Sequence, residues 1–427
     1  MAFVSKIRND IGDVKMKYKR EFYLNQLINK QNNGLVKIIT GIRRCGKSYL
    51  LDPLFKSYLL NNGIDEQHII KIDLDSIENK ELLVGENLFN YVITLIKDEK
   101  KYYILLDEIQ KVSDFESVLN SLLRKNTDVY VTGSNSKFLS SDIITEFRGR
   151  GDEIRMYPLS FSEYFENYGG TKEDAFMEYI QFGGLPLSAM SNNENDKIKY
   201  LDNERKRTYS KDILERNNIK NEEEFNQLVE IISSAVGSLT NPLKLSKSFK
   251  NHDKETSMTD KTIYKYINYM EDAFLVEKTK RYDIKGKKYI ETPYKIYFSD
   301  LGIRNSFLNF RQIELPHLME NLIYNELRKR GYAVDVGIVE IRDKNNRIQT
   351  EIDFVCNLGN KKYYIQSALN IDEEEKKAQE FRPLMNVNDF FKKIVITKDG
   401  VKIWRNEDGI TIMNIYEFLL NENSLDE

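Results

Sequence analysis

The sequence predicts an α/β protein: a parallel sheet of the P-loop NTPase type, then a helical and winged-helix region, then a second α/β domain. Residues 34–165 alternate apolar, strand-like runs with helical runs, which is typical of a parallel sheet covered by helices. One apolar run leads into a glycine-rich loop, and another ends in two carboxylates. After residue 220, three helical stretches precede a basic hairpin, and the alternation then returns.

The proposed domains follow these changes of pattern. Charged residues with helical spacing precede the first strand, and a helical stretch with a Gly-Gly-Leu-Pro turn at 183–186 separates the two sheet-forming parts. We expect an N-terminal lead-in (1–33), a P-loop domain (34–165), a helical linker (166–220), a winged-helix domain (221–310) and a C-terminal domain (311–427).

Within the P-loop domain, short apolar runs indicate strands and amphipathic runs indicate helices. The predicted strands cover residues 35–40, 68–73, 102–107, 128–132 and 153–157. The predicted helices lie near residues 47–60, 87–98, 114–124 and 138–147.

The glycine-rich loop has the spacing G-x-x-x-x-G-K-[ST], between a strand and a helix. Gly41 and Gly46 let the backbone turn its N–H groups towards phosphate oxygens, and the helix that follows adds the positive end of its dipole. Lys47 has the length to reach the β- and γ-phosphates, and the hydroxyl of Ser48 is placed to ligate Mg²⁺. The predicted nucleotide-binding residues are Gly41, Ile42, Arg43, Arg44, Cys45, Gly46, Lys47, Ser48 and Tyr49.

A pair of carboxylates, Asp107 and Glu108, follows the apolar run Tyr102-Tyr103-Ile104-Leu105-Leu106. The carboxyl ends of parallel strands meet at the edge of the sheet where the P-loop lies. We therefore expect Asp107 to hold the Mg²⁺ shell and Glu108 to polarise the attacking water, an arrangement that favours hydrolysis over nucleotide storage.

Two further segments carry weaker signals. The run at 129–135 ends in Ser134 and Asn135, either of which is a candidate for sensing the γ-phosphate, although an ordinary turn uses the same residues. Arg148 and Arg150 lie on a glycine-flanked segment, and an arginine offered to a γ-phosphate, often by a neighbouring subunit, stabilises the transition state.

The predicted hairpin is rich in lysine. Strands around Lys285-Gly286-Lys287 follow three helical stretches, which is the winged-helix order. A basic wing with interleaved tyrosines suits a phosphate backbone, but lysines also protect exposed sheet edges from aggregation. The candidate DNA contacts are Lys278, Lys280, Arg281, Lys285, Lys287 and Lys288.

The C-terminal domain repeats the acidic pattern of restriction-type nucleases. Glu320 lies on a predicted helix, Glu351 and Asp353 on one strand and Gln366 on the next. The third carboxylate is replaced by an amide, and position 368 is alanine where such nucleases have lysine. We therefore expect a degenerate site, with DNA cleavage as the less favoured alternative.

Taken in order, these segments resemble a family of prokaryotic AAA-type ATPases fused to a winged helix and a restriction-endonuclease-like C-terminal domain. The resemblance rests on residues 40–48, 105–110, 131–136, 147–151, 157–164, 179–186, 295–305, 319–332 and 351–355. It implies nucleotide roles for Lys47, Ser48, Asp107 and Glu108, with Ser134 or Asn135 as the first sensor. It also ranks Arg150 above Arg148.

Composition limits the choice of partners. The 427 residues are 31% charged with a net charge of −3, so contact with nucleic acid requires a local basic patch. The sequence has no apolar run of about 18 residues, its first residues are polar, and it has only two cysteines, Cys45 and Cys356. We therefore expect a soluble cytoplasmic protein without a membrane partner.

The leading hypothesis is a homo-oligomeric switch or motor that hydrolyses ATP with Mg²⁺ and engages DNA. Two alternatives stay open: a nucleotide-gated scaffold acting on protein partners, and an ATP-regulated, metal-dependent nuclease.

Overall fold

The computed structural model describes residues 18–134, 151–206, 211–343, 346–400 and 403–427. These residues form two units. The first lies within Met1–Pro158 and includes Asp272–Phe274, and the second comprises Leu159–Glu271 and Leu275–Glu427.

The first unit is built on a five-stranded parallel sheet. Its helices are α1 (Glu21–Asn29), α2 (Lys47–Tyr49), α3 (Lys56–Asn61), α4 (Gly85–Leu95) and α5 (Phe115–Leu122). Its strands are β1 (Val36–Thr40), β2 (Ile69–Asp73), β3 (Tyr102–Asp107), β4 (Thr127–Gly133) and β5 (Gly151–Arg155), in the spatial order β2-β3-β4-β1-β5. Every strand predicted in this domain is present: β3 has the predicted bounds, and the others differ by one or two residues at their ends.

Burial explains why these strands read as continuous apolar runs. All five residues of β1 and all six of β3 are buried, since helices cover a parallel sheet on both faces. One face packs Ile38, Ile104 and Val129 against Leu88 of α4 and Leu119 of α5. This core fixes the strand ends that carry the site.

The predicted helix at 47–60 is interrupted. A π-helical segment, Leu50–Phe55, separates α2 from α3, and Asp52 has extended backbone angles (φ −145°, ψ 119°). Pro53 is the physical reason, because proline lacks an N–H and disfavours helical angles in the residue before it. The predicted helix at 138–147 lies outside the described residues.

The second unit begins with helices. They are α6 (Phe161–Phe165), α7 (Lys172–Phe182), α8 (Pro186–Met190), α9 (Glu194–Asn203), α10 (Lys211–Asn217), α11 (Glu222–Ser234), α12 (Pro242–His252) and α13 (Asp260–Asp272). The short strand β6 (Leu239–Thr240) separates α11 from α12. The three helices predicted after residue 220 are therefore present as α11, α12 and α13.

A nine-stranded mixed sheet follows. Its strands are β6, β7 (Val276–Asp283), β8 (Lys288–Phe298), β9 (Ala333–Asp343), β10 (Asn346–Leu358), β11 (Lys361–Ala368), β12 (Lys392–Thr397), β13 (Trp404–Arg405) and β14 (Thr411–Asn414). Its helices are α14 (Leu301–Phe307), α15 (Leu315–Lys329), α16 (Glu374–Met385) and α17 (Ile415–Leu420). The spatial order is β13-β14-β12-β11-β10-β9-β7-β8-β6.

The predicted hairpin is present as β7 and β8, but it is not a free-standing wing. Strand β7 pairs in parallel with β9 through Arg281, Tyr282 and Asp283, so the hairpin continues the C-terminal sheet. A hairpin exposes hydrogen-bonding groups along both outer edges; here β9 pairs with part of the β7 edge, and the short strand β6 pairs with part of the β8 edge. The strands predicted on either side of residue 310 thus share one sheet.

Candidate nucleotide site and a buried ion cluster

The glycine-rich loop turns sharply between β1 and α2. Gly41 has φ +146° and Gly46 has φ +103°, which side-chain-bearing residues rarely adopt. A Cβ atom on Gly41 would lie 2.1 Å from the carbonyl oxygen of Met156, so only glycine fits there. The loop is further closed by a bond of 3.3 Å from the N–H of Cys45 to the carbonyl of Ile42. The strand, loop and helix therefore form as the sequence predicts.

Lys47 is folded back onto this loop. Its side-chain nitrogen donates to the carbonyl oxygens of Gly41 at 3.0 Å and Ile42 at 3.1 Å, and the residue is buried. Cys45 is also buried, and its sulfur lies 3.7 Å from the carbonyl oxygen of Met156. Burial raises the pKa of Tyr49. The ammonium group of Lys47 is thus positioned against the segment predicted to hold phosphates.

Two arginines complete the predicted loop set. Arg43 is half-buried, and Arg44 is exposed with φ +64°. The pKa of Asp75 is lowered mainly by its hydrogen bond to Lys111, and the charge of Arg43 contributes to the shift.

Asp107 lies at the carboxyl end of β3, beside the loop. Its carboxylate accepts hydrogen bonds from the hydroxyls of Thr132 and Ser48. Burial raises the pKa of Asp107, and the nearby charges of Glu108 and Asp73 act in the same direction. The structure thus brings together Ser48 and Asp107, the two residues predicted to hold Mg²⁺. Both offer hard oxygen ligands, which suit that ion.

Thr132 is a site residue that sequence reasoning missed. Its hydroxyl donates to Asp107 and also accepts a hydrogen bond of 2.9 Å from the backbone N–H of Glu108. The parallel pairing of β3 with β4 brings Thr132 alongside the two acids. The sequence held a signal for it, because Thr132 is a polar residue at the end of a buried strand, but the prediction named Ser134 and Asn135, which follow Gly133.

Glu108 is held by two polar neighbours. One carboxylate oxygen, Oε2, accepts from the side-chain amide of Gln110 and from the hydroxyl of Ser134 at 3.2 Å. The residue has φ +56°, in the left-handed region, which turns the chain after β3. Ser134 and Gln110 therefore both donate to the carboxylate that is predicted to polarise the attacking water. Asn135, Arg148 and Arg150 lie outside the described residues.

The acidic residues predicted in the C-terminal domain meet around a lysine. Nζ of Lys295, on β8, lies 2.9 Å from Oε1 of Glu320 and 3.2 Å from Oδ1 of Asp353. Gln366 accepts from the N–H of Asp353 at 3.3 Å, and the hydroxyl of Tyr297 donates to Glu320 at 2.6 Å. The cation that the sequence lacks at position 368 is thus supplied from another strand.

The charged groups of this cluster shift one another's pKa values. Burial alone would lower the pKa of Lys295, but the charges of Glu320 and Asp353 raise it, so the ammonium stays protonated. Burial raises the pKa of Glu320 despite Lys295. Glu351 faces Nε of Arg281 at 3.5 Å instead. Within the described residues, no three or more His, Cys, Asp or Glu side chains are arranged to hold a metal ion.

The hairpin lysines and Arg281 fall into two sets. Lys278 pairs with Glu271 at 2.6 Å, and Arg281 is buried beside Glu351, so both serve the protein itself. The side chains of the second set are exposed, and these are Lys280, Lys285, Lys287 and Lys288. Four of the six predicted DNA-contact residues thus lie at the surface.

Comparison with known families agrees with this architecture. Residues 33–165 match a family described as an AAA domain. Residues 173–314 and 316–418 match two families that are each described as a domain of unknown function.

An uncharacterized protein from Haemophilus influenzae is 32% identical over 415 residues, which cover 95% of this chain and 99% of that protein. The chain belongs to the same family. An uncharacterized protein from Methanocaldococcus jannaschii is 28% identical over 81% of this chain and 77% of its own length. The predicted AAA-type P-loop domain is thus confirmed, whereas the winged helix and the restriction-endonuclease-like domain stay predictions.

Likeness to solved structures is limited. The Aeropyrum pernix ORC1 protein in complex with DNA is 11% identical, with 68% of this chain and 92% of that chain covered at a TM-score of 0.28. C. elegans PCH-2 is 20% identical, with 39% and 48% covered at a TM-score of 0.26. Scores this low carry no argument about this chain. Among the described residues, none of the helices combines the length and apolarity needed to cross a bilayer.

Proposed function

We propose that this protein is an Mg²⁺-dependent AAA-type ATPase, a switch or motor that engages DNA through its second unit. The observation that carries the ATPase assignment is the hydrogen-bonded set at the end of β3. Ser48 contacts Asp107, and Thr132 links Asp107 to the backbone of Glu108. Hydrogen bonds at the end of β3 therefore connect the glycine-rich loop, the acid proposed to hold Mg²⁺ and the acid proposed to direct the attacking water, as nucleotide hydrolysis requires.

Each residue has a distinct part in this proposal. Lys47 exchanges the carbonyls of Gly41 and Ile42 for phosphate oxygens when nucleotide binds. Ser48 and Asp107 hold Mg²⁺, which neutralises charge on the phosphates. Glu108 keeps Oε2 on Gln110 and Ser134 and offers Oε1 to the attacking water.

The DNA part of the proposal rests on the four exposed lysines of the hairpin. They lie on β7, on β8 and in the turn between them, so their charges stay together on one hairpin whose strand β7 is paired with β9. Clustered lysines give binding that weakens as salt is raised. We further propose that subunits assemble and that Arg150, or Arg148, acts on the nucleotide of a neighbour.

The decisive experiment measures ATP turnover with Mg²⁺, with and without duplex and single-stranded DNA. We expect Lys47→Ala to lose nucleotide binding, since it removes the charge that faces the phosphates. Lys285→Glu, Lys287→Glu and Lys288→Glu together should weaken DNA binding and flatten its salt dependence. A charge-matched control carries Lys80→Glu, Lys100→Glu and Lys125→Glu in the first unit.

The alternatives have separate signatures. ATP turnover that no DNA changes, together with assembly of subunits that depends on the nucleotide, would favour a scaffold acting on protein partners. Nuclease activity would appear as DNA cutting that Asp353→Ala abolishes. The ammonium of Lys295 between Glu320 and Asp353 weighs against that last alternative, because it lies where both carboxylates converge. Recovery of activity on mixing Arg150→Ala with Lys47→Ala protein would support assembly.

A further inference from the structure

A row of aromatic side chains continues from the basic hairpin across the second unit. Tyr282 and Tyr289 face each other on β7 and β8 with ring centroids 5.3 Å apart. Nζ of Lys362, on β11, lies 6.0 Å from the ring of Tyr282 and 5.1 Å from that of Phe391. The lysine thus connects the hairpin to the segment between α16 and β12.

The outer members of this row are exposed to solvent. Phe390 is fully exposed, Tyr289 is 59% exposed and Phe391 is 44% exposed. The exposed part of each ring adds nothing to folding, since it remains in water. We name the surface formed by Tyr282, Tyr289, Lys362 and Phe391, together with Phe390, which adjoins Phe391 in the chain, the aromatic row.

Positive charge accompanies the aromatic row. Lys285, Lys287 and Lys288 are exposed at the hairpin turn beside Tyr289. Four acids lie near the row, and each has a partner. Asp335 accepts from the hydroxyl of Tyr289 at 3.2 Å, and Asp389 accepts from the N–H of Phe391 at 3.2 Å. On the hairpin, Asp283 accepts from the N–H of Gly286 at 2.8 Å, and Glu291 lies 3.8 Å from Nζ of Lys280. The surface therefore combines flat apolar rings with exposed ammonium groups.

We propose that the aromatic row binds single-stranded nucleic acid, with bases stacked on Tyr289, Phe390 and Phe391 and the backbone along the hairpin lysines. This deepens the proposed function and rests on its DNA-binding part. In a duplex the faces of the bases are already stacked and only the backbone is offered, whereas a single strand offers both features of this surface. Stacking is tolerant of sequence, so sequence preference is weak.

The test uses the full-length protein and 20-nucleotide probes: oligo-dT, oligo-rU, a duplex, and a strand that contains 2-aminopurine. Phe390→Ala is the main variant, because a fully exposed side chain can be removed without loss of packing. We expect single-stranded binding to weaken about fivefold or more, and quenching of 2-aminopurine to fall, with Phe390→Ala and with Tyr289→Leu. Tyr264→Ala, a 48% exposed tyrosine near Lys278, serves as the aromatic control.

The outcomes separate the inference from the proposed function. Preference for oligo-dT or oligo-rU that depends on Phe390 supports the aromatic row, and the two probes show whether DNA or RNA is preferred. Equal binding of duplex that depends on the hairpin lysines but not on the rings overturns the row and leaves DNA engagement in place. Absence of binding to every probe overturns both.

Discussion

The two sheets treat their buried carboxylates in opposite ways. Asp107, at the end of β3, is bonded by the hydroxyls of Ser48 and Thr132, which are neutral groups. Glu320, on α15, lies 2.9 Å from the ammonium of Lys295. Burial raises the pKa of both acids. Asp107 therefore has neutral hydroxyl groups as its hydrogen-bond donors, whereas Glu320 is paired with a cation of the protein itself, Lys295.

The difference teaches which site has chemistry to perform. A buried carboxylate with neutral partners costs stability when ionised, and such cost is characteristic of groups that recruit a cation during function. A carboxylate that is already paired within the protein gains little from a further cation. We therefore propose reaction chemistry for the first sheet and a structural role for the cluster around Lys295.

The sharpest way to break this comparison is to neutralise one acid in each unit. Glu108→Gln should retain nucleotide binding and lower ATP turnover about 10²- to 10⁴-fold, because it removes the group that polarises water. Glu320→Gln should leave turnover within about twofold. Steady-state ATPase assays and nucleotide titrations measure both. Equal losses in the two variants would remove the distinction between the sites.

The second test removes the internal cation. Lys295→Met should destabilise the second unit by about 3–5 kcal/mol, because it leaves Glu320 and Asp353 buried without a counter-charge. Adding Glu320→Gln to Lys295→Met should recover part of that loss. Denaturant unfolding followed by probes in the second unit gives the values. A Lys295→Met protein as stable as wild type would show that the cluster is open to water.

The sequence predicted the first site far better than the second. In the P-loop domain the functional groups lie at strand ends, and the order of strand, loop and helix fixes their positions locally. The side chain of Lys295 instead reaches Asp353 from 58 residues away, on a strand assigned to a different domain. Pairing of distant strands decides such contacts, and no local pattern reports it.

Two smaller differences have different causes, of which only the first was visible in the sequence. Pro53 marks the break in the helix that follows the P-loop, because proline cannot continue the hydrogen-bond pattern. The side chain of Arg281 turns out to be buried beside Glu351, although its neighbours on a lysine-rich strand favoured solvent. Composition predicts the charge of a segment, whereas strand pairing decides which members face inward.

A third test concerns the stability of the first unit. Asp107→Asn should raise the free energy of unfolding of the nucleotide-free protein by about 0.5–2 kcal/mol while abolishing Mg²⁺-dependent turnover, since it removes a buried charge needed only for function. Thermal unfolding and ATPase assays measure the two effects. A less stable Asn variant would indicate that the hydroxyl bonds outweigh burial.

The same residue gives a pH dependence of defined sign. Because burial raises the pKa of Asp107 in the folded state, its contribution favours folding below the ordinary aspartate range and is lost as pH rises through the folded pKa. The wild-type protein should therefore gain stability relative to Asp107→Asn as the pH falls through the folded-state pKa of Asp107 towards the ordinary aspartate range. Denaturant unfolding of both proteins at several pH values measures this. The same dependence of unfolding free energy on pH in the two proteins would contradict it.

The smallest expected effect concerns Gln110, whose side-chain amide donates to the carboxylate of Glu108, the residue proposed to direct the attacking water. Gln110→Ala should lower kcat about two- to tenfold with KM for ATP unchanged, because a hydrogen bond worth about 0.5–1.5 kcal/mol no longer orients Glu108. Ser134→Ala should act alike, and since both residues bond the same oxygen, the double variant should lose less than the product of the single losses. Independent, multiplying effects would show that Gln110 and Ser134 do not share one role in holding Glu108.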